Sequence, residues 1–445
     1  MLLDIEFPVH ALKGIPILAR TASLIAHLNE EAIGLIGFMM SGIAAQGMQY
    51  DEDNKVICRT SPREHRMLKI LKGIRVIDQG TYITGPATGM LLADLGAEVI
   101  KVEQPVTGDP FRAFKGELYS PHYQACNRNK QSIALDTRQP ADLAVFDDLI
   151  RSADVYLQNF RPGVAQKLQA GEDRLRAIKP DLVYCAISGF GQDGPSANRP
   201  AYDSVAQAAS GLLHLLVTPE NPRVVGPALA DSITGMYAAM GILAALAERA
   251  SSRKGHRVDI SMIEAMTYFN IDAFTHHFSV NEVMGPYSRP RVSQSYVFEC
   301  SDKKWIALHM SSPQKFWDGL AEVVEMPDMF KDPRFADRQA RIENQEQIIE
   351  VLSPVFLKKP RAVWCNLLLA KDVPHAPVYD SSEALDDPQA KHLGLTISGE
   401  HPVLGTFQSV RFPVSIDGQR MTHMTPPPLL DEHRTEILAS IGRKA

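Results

Sequence analysis

The chain is 445 residues long, 45% hydrophobic by residue count, with a formal charge of −6. That length leaves room for two or three domains with sizeable cores, and the mildly acidic balance excludes nucleic acid as a bulk electrostatic partner, which needs a basic face. The cysteines, Cys58, Cys126, Cys185, Cys300 and Cys365, form no CxxC and no zinc-ligand spacing with histidine, so they read as reduced thiols suited to the cytoplasm, with no metal site. The opening MLLDIEFPVH carries acids where a signal peptide needs positive charge. The longest apolar stretch, Ala32–Ala45, is too short for a spanning helix, so no membrane association is expected.

In chain order, Ile15–Glu31 places Ile17, Leu18, Leu24, Ile25 and Leu28 at helical spacing. Tyr50–Arg66 is polar and aperiodic, as linkers are. From Leu71 the texture changes to strand, turn and helix. Ile74–Asp78 reads as a strand, Gly80–Pro86 as a loop and Ala87–Gly96 as a helix, followed by the strand Glu98–Val102. Ala153–Leu157 and Leu182–Ile187 repeat the pattern. Strands alternating with helices predict an α/β fold, a large Rossmann-like domain with a mainly parallel sheet covered on both faces. The first loop, QGTYITGP, lacks GxGxxG, and no Walker A motif occurs. Further on, Asp231–Ala247 reads as a small-residue helix, Gly255–Ser261 as an edge strand and Met262–Phe274 as another helix. Met284–Gln294 is irregular and precedes a smaller α+β unit with a strand at Trp305–His309; the chain ends in a helix over Asp431–Ile441.

An ordered series of phrases resembles the family III CoA transferases. It comprises LKGIRVID at Leu71–Asp78, Gly85-Pro86, LLADLGAEVIKVE at Leu91–Glu103, Gly108-Asp109, Asn129-Lys130, SIALD at Ser132–Asp136 and NFRPG at Asn159–Gly163. SGFG at Ser188–Gly191, AYD at Ala201–Asp203, Ala230-Asp231 and GHRVD at Gly255–Asp259 follow. The resemblance implies that Asp231 is a nucleophile, attacking an acyl-CoA to give a mixed anhydride and then an aspartyl-CoA thioester, without metal or cofactor and with coenzyme A as substrate. Carboxylates can open covalent routes that split a hard step in two. A helix N-terminus at Asp231 would stabilise negative charge, and its N–H groups or those of nearby glycine turns could hold the oxyanions of the acyl intermediates. Without the family pattern, Asp231 would read as a helix N-cap.

The α-methylacyl-CoA racemases are the nearest alternative; they share the fold and the aspartate but carry a Gly-His-Asp phrase where this chain has Ala201-Tyr202-Asp203. Tyrosine, ordinarily titrating near ~10, is a poor base at neutral pH, which favours transfer. The resemblance further implies CoA or substrate contacts at Tyr82, Ile83, Leu135, Asn159, Phe160, Val164, Lys167, Tyr202 and Asp203. Two departures stand out. Some relatives place a phosphate-binding arginine where Gln104 stands, which would leave the phosphates to Lys101, Arg112 or Lys167; and the glycine-rich lid is replaced by Pro286–Gln294, with Arg289, Arg291 and Gln294. Arginines there suit a second carboxylate, hence succinyl-CoA as donor and a small carboxylic or dicarboxylic acid as acceptor. Adjacent His276 and His277 point to different helix faces and read as structural.

Residues 1–55 resemble a C-terminal fragment of citrate synthase and citryl-CoA lyase. The expected organisation is 1–66 fragment and linker, 67–285 large domain, 286–373 small domain and 374–445 return to the large domain. The resemblance implies an interlocked homodimer.

Overall fold

The computed structural model describes residues 68–444, apart from 116–117 and 312–313. The helix expected over Ile15–Glu31, the linker Tyr50–Arg66, Cys58 and the citrate-synthase-like segment lie outside the described residues.

The expected α/β architecture is present. β1 (Arg75–Asp78), β2 (Glu98–Glu103), β3 (Lys130–Ala134), β4 (Val155–Gln158), β5 (Val183–Ser188) and β6 (Arg257–Ser261) form a six-stranded sheet in the order β3-β2-β1-β4-β5-β6. All the pairings are parallel. Consecutive strand residues point to opposite faces, so a sheet covered on both sides needs nearly continuous apolar runs. Val76, Val99, Val155 and Val183 pack on one face with α1 (Thr84–Asp94) and the later helix α5 (Leu229–Ser252). Ile77, Ile100, Tyr156 and Tyr184 pack on the other with α2 (Pro140–Ser152), α3 (Glu172–Ile178) and the C-terminal helix α11 (Arg434–Ser440).

Several boundaries differ from the sequence reading for identifiable reasons. α1 begins at Thr84 rather than Ala87, because Pro86 sits in the first turn, where its missing N–H breaks no helical bond. α5 begins at Leu229, before Asp231. The single helix expected over Met262–Phe274 is two, α6 (Met262–Phe269) and α7 (Ile271–Val280), meeting at Asn270. α11 starts after Asp431, whose carboxylate instead accepts the Ala134 N–H at 2.8 Å.

α4 (Asp203–Ala209) packs beside α5 and α6. α5 is long and apolar enough to cross a membrane, the one described helix that is. Its Ala238, Ala239, Ile242 and Ala245 are nonetheless buried, so its apolarity includes that of a core helix.

A second core gathers on the antiparallel sheet β7 (Ser295–Glu299), β8 (Trp305–His309) and β9 (His375–Val378). Tyr296, Phe298, Ile306 and Leu308 meet Trp317 and Leu320 of α8 (Gln314–Val323), Ile348, Leu352 and Phe356 of α9 (Gln345–Phe356) and Trp364 of α10 (Arg361–Ala370). Phe298 and Phe356 stack with ring centroids 4.5 Å apart. The chain then returns to the large sheet: after the hairpin β10 (Thr396–His401) and β11 (Gly405–Val410), Phe412, Met421 and Met424 pack with Leu91 and Leu95 at the end of α1.

Candidate active site

The strand order changes direction between β1 and β4. In open α/β sheets, ligands bind outside the carboxyl ends of the strands at such a point. Here β1 runs into the loop Gln79–Ile83 and β4 into the turn Asn159–Gly163. The first loop is pinched: a Cβ on Gly80 would lie 2.7 Å from the Gly85 Cα, and one on Gly85 equally close to Gly80, so neither position accepts a side chain. Asn159 ties the two loops together. Its Oδ1 accepts the Thr81 N–H at 2.8 Å, while its Nδ2 donates to Thr81 O and Thr84 Oγ1, both at 2.7 Å. Tyr82 is held in the left-handed region, φ 61°, a conformation costly for a bulky side chain and sustained only where its surroundings enforce it.

Those surroundings are a buried ionic network. The Asp109 carboxylate accepts the Tyr82 N–H at 3.1 Å and the Phe111 N–H at 2.9 Å, and pairs with Lys101 at 2.9 Å. Lys101 also donates to Gly80 O at 2.8 Å. Lys130 bridges Asp78 and Pro86 O at 2.8 and 2.7 Å, so both ends of the loop are anchored. Arg112 makes a two-pronged contact with Glu103, at 2.7 Å for each nitrogen. Buried charges persist only when so paired. Burial pushes the Asp78 carboxyl up, but Lys130 and Lys101 outweigh it and hold the group below the usual carboxylate range.

Asp231 is the third residue of α5, not its N-cap. The cap position is Ala228, whose side chain accepts no hydrogen bond. Instead Asp203, at the start of α4, reaches across: its Oδ1 accepts the Ala230 N–H at 2.8 Å and the Asp231 N–H at 3.4 Å, and its Oδ2 accepts Gln207 Nε2 at 2.6 Å. α1 crosses α5 at Gly235, where a Cβ would meet Thr84 O at 3.2 Å. Asp231, one turn earlier on the same helical face, therefore lies toward the Tyr82–Thr84 corner. Tyr82 meets Tyr202 edge-on at 6.1 Å. Burial, and then the neighbouring Asp203 charge, push the Asp231 carboxyl up to about 7. No hydrogen bond or ion pair engages that carboxylate among the described residues.

Tyr82, Tyr202, Asp203 and Asp231 are thus linked around one corner that also takes in Ile83, while Asn159, Phe160, Val164 and the exposed Lys167 lie along the turn and short helix after β4. Four expectations are corrected. Leu135 is 1% exposed and packs in the sheet core with Phe146, so its side chain does not face a ligand. Lys101 and Arg112 are fully buried and committed to Asp109 and Glu103, and are not free for phosphate. Gln294 is not a lid residue; it is buried, and its Oε1 accepts Arg341 Nε at 3.2 Å. The first N–H groups of α5 are not open to an oxyanion, since those of Ala230 and Asp231 bond Asp203, while Leu229 and Ser232 donate to Pro227 O and Ala228 O. The sequence pattern assigns Asp109 no role of its own. The available signal was a lysine inside the apolar strand Val99–Val102, which needs a buried partner.

A sequence profile of CoA-transferase family III matches residues 71–434. The chain is 31% identical over 388 residues to human succinyl-CoA:glutarate CoA-transferase, covering 84% of this chain and 87% of that one. It is 32% identical over 367 residues to acetyl-CoA:oxalate CoA-transferase of Acetobacter aceti, covering 81% and 92%. Among solved structures, a CAIB/BAIF family protein from Brucella suis matches with a TM-score of 0.75 at 28% identity, covering 83% of this chain and 99% of that one. A hypothetical protein from Mycobacterium tuberculosis matches with a TM-score of 0.71 at 30% identity, covering 83% and 98%. The racemase alternative finds no support in these matches. With a profile match spanning both strand systems and both flanks of the Asp231 helix, the chain belongs to CoA-transferase family III.

Proposed function

We propose that this protein transfers CoA from an acyl-CoA donor, succinyl-CoA foremost, to a small carboxylic or dicarboxylic acid, with Asp231 as the nucleophile. The observation that carries the reading is a half-buried Asp231 carboxylate without a described hydrogen-bond donor or counterion, on the helix that crosses the loop at the sheet's switch point. An unpaired carboxylate in a partly desolvated place is reactive toward an acyl carbon. Relatives named for succinyl-CoA and glutarate support the choice of donor and of a dicarboxylate acceptor.

In the proposed sequence an Asp231 oxygen attacks the thioester carbonyl, the C–S bond breaks, and CoA thiolate leaves behind a mixed anhydride. The thiolate attacks the aspartyl carbonyl and releases the donor acid as its carboxylate, leaving an aspartyl-CoA thioester. The acceptor carboxylate displaces thiolate to form a second anhydride, and the thiolate then takes the acceptor acyl group and frees Asp231. No net proton or redox change occurs, so the chemistry needs no resident cofactor. With the α5 N–H groups engaged, the candidates to hold the oxyanions are the first-turn N–H groups of Thr84 and Gly85 in α1, whose cap residue Ile83 offers no acceptor. In the same reading Lys167 meets a CoA phosphate as a point charge. A donor–acceptor matrix read by mass spectrometry of the CoA products, with hydroxylamine trapping, tests the proposal. Transfer is expected with modification at Asp231 alone; α-proton exchange in deuterated water without any acceptor acid would favour a racemase instead.

We also propose the interlocked homodimer, with the second core, entered and left near residues 286 and 373, meeting the partner's large domain. Met236 and Met240 on the outward face of α5 are 60% and 58% exposed, and Tyr268, Phe269, Ile271 and Phe278 extend the apolar surface. Apolar surface of this kind supports an obligate interface larger than the ~1,600 Å² of a standard complex. Sedimentation at nanomolar concentration is expected to find only dimer, and a folded, active monomer would overturn this. Unpaired Cys126, Cys185, Cys300 and Cys365 fit a cytoplasmic location.

A further inference from the structure

We propose that Asp203 is a positioning residue for Asp231: from a neighbouring helix its carboxylate caps the helix that carries Asp231 and sets a second negative charge beside the reactive one. The inference rests on Asp231 being the nucleophile. Its basis is geometric. Ala228 cannot cap α5, and the Asp203 Oδ1 takes the Ala230 and Asp231 N–H groups at 2.8 and 3.4 Å. Gln207 fixes the other oxygen at 2.6 Å from the same helix as Asp203. A neutral cap would satisfy those N–H groups equally well, so the charge has a further consequence.

That consequence follows from where charge moves in the covalent step. While Asp231 is a free carboxylate, the Asp203 charge that accepts its backbone N–H also acts on it, and like charges in a partly buried place repel. When Asp231 attacks the thioester, its charge leaves with the CoA thiolate, and the acylated side chain beside Asp203 is neutral. The repulsion is present in the free enzyme and absent in both the anhydride and the aspartyl-CoA thioester. Asp203 thereby tilts the equilibrium toward the covalent intermediates and makes the Asp231 oxygen a better nucleophile. The elevated Asp231 carboxyl, pushed to about 7 by burial and by Asp203, agrees with this arrangement.

Other ionisable groups on the elements packed against α5 do not take the part of Asp203. On α1, Asp94 is bonded to Arg128, and on α6 Glu264 is bonded to Ser261. Tyr268 of α6 stacks edge-on with Tyr237. On β6, Arg257 and Asp259 pair with each other, and on β5 Tyr184 donates to Ala170 O while Cys185 is buried in the core. Cys126, beyond these elements, feels the Asp231 charge, but burial, Lys130 and Lys101 act on it more strongly.

The test is Asp203→Asn, which keeps the acceptor oxygen and removes the charge, with Asp203→Ser as a second neutral cap should the amide not fold. In wild type the acid limb of kcat/KM should fall near neutral pH. In the neutral variants it should move down by about one unit, a tenfold change in proton affinity. At pH 8 transfer should fall about tenfold while the deficit narrows at pH 5.5, where the variant keeps more of its Asp231 ionised. The trapped aspartyl-CoA fraction on incubation with acyl-CoA should fall in parallel. An unmoved acid limb, with the same loss of rate at every pH, would reduce Asp203 to a structural cap and overturn the proposal. Hydroxylamine modification of wild type at a residue other than Asp231 would instead remove the nucleophile assignment, and this inference with it.

Discussion

Replacing Asp231 with asparagine is expected to abolish transfer and, at the same time, to stabilise the folded protein above neutral pH. The kinetic loss should reach at least about a hundredfold, as for the loss of other covalent nucleophiles. The gain in stability follows from the same environment that makes the carboxylate reactive. Its folded-state pKa is raised from 3.8 to about 7 by burial and by Asp203. A group whose pKa rises on folding contributes stability that is complete below its unfolded value and is lost as pH climbs through the folded one. Asp231 is therefore a liability that grows between about pH 4 and pH 7 and is constant above. At about 1.36 kcal/mol per unit the ceiling is roughly 4 kcal/mol, and water reaching the open crevice lowers the expected gain to roughly 1–2 kcal/mol. Urea unfolding of both proteins at pH 3.5 and pH 8 checks this. Asp231→Asn should match wild type at the lower pH and exceed it at the higher. A variant no more stable than wild type at pH 8 would contradict the strained-carboxylate picture even if transfer is lost.

The strands were readable because a sheet covered on both faces demands short, mostly apolar runs, and Leu182–Ile187 has that form, while Ile74–Asp78 and Glu98–Val102 keep it around a few charged residues. Their observed ends fall within a residue or two of the expected ones. Tyr202 and Asp231 stand in phrases of the ordered series, and Tyr82 in the loop between two of them. What was not readable depends on tertiary placement rather than on local pattern. Asp203 bonds N–H groups 27 and 28 residues away, and no local pattern distinguishes that from a solvated helix carboxylate. Leu135 follows β3 and turns its side chain into the core, a matter of register rather than residue type. Lys101 pairs with Asp109 from the loop that follows its own strand, a partnership that its charge alone does not distinguish from phosphate binding. Many of the phrases that mark the family therefore do scaffold duty: Asp78, Gly85, Lys101, Glu103, Asp109 and Lys130 set the shape of one loop.

Lys101→Met is accordingly expected to damage stability far more than it damages CoA recognition. The Lys101 side chain is fully buried, paired with Asp109 at 2.9 Å and bonded to Gly80 O at 2.8 Å. Removing it leaves the Asp109 carboxylate buried without its counterion, a loss of roughly 3–5 kcal/mol for a broken buried pair. It also loosens the carboxylate that holds the Tyr82 N–H and hence the left-handed turn at the mouth of the crevice. Adding Asp109→Asn to Lys101→Met should recover part of that loss, because the amide oxygen still accepts the Tyr82 and Phe111 N–H groups and no unpaired charge remains. Lys167→Ala, at an exposed position beside the β4 turn, should show the opposite pattern: an unchanged midpoint in urea and a several-fold higher KM for acyl-CoA. The discriminating measurement is urea unfolding of the four proteins together with KM for the donor. If Lys101→Met unfolds at the wild-type midpoint while its KM for acyl-CoA rises steeply, Lys101 is a ligand for the nucleotide. The buried network would then have to open when substrate binds.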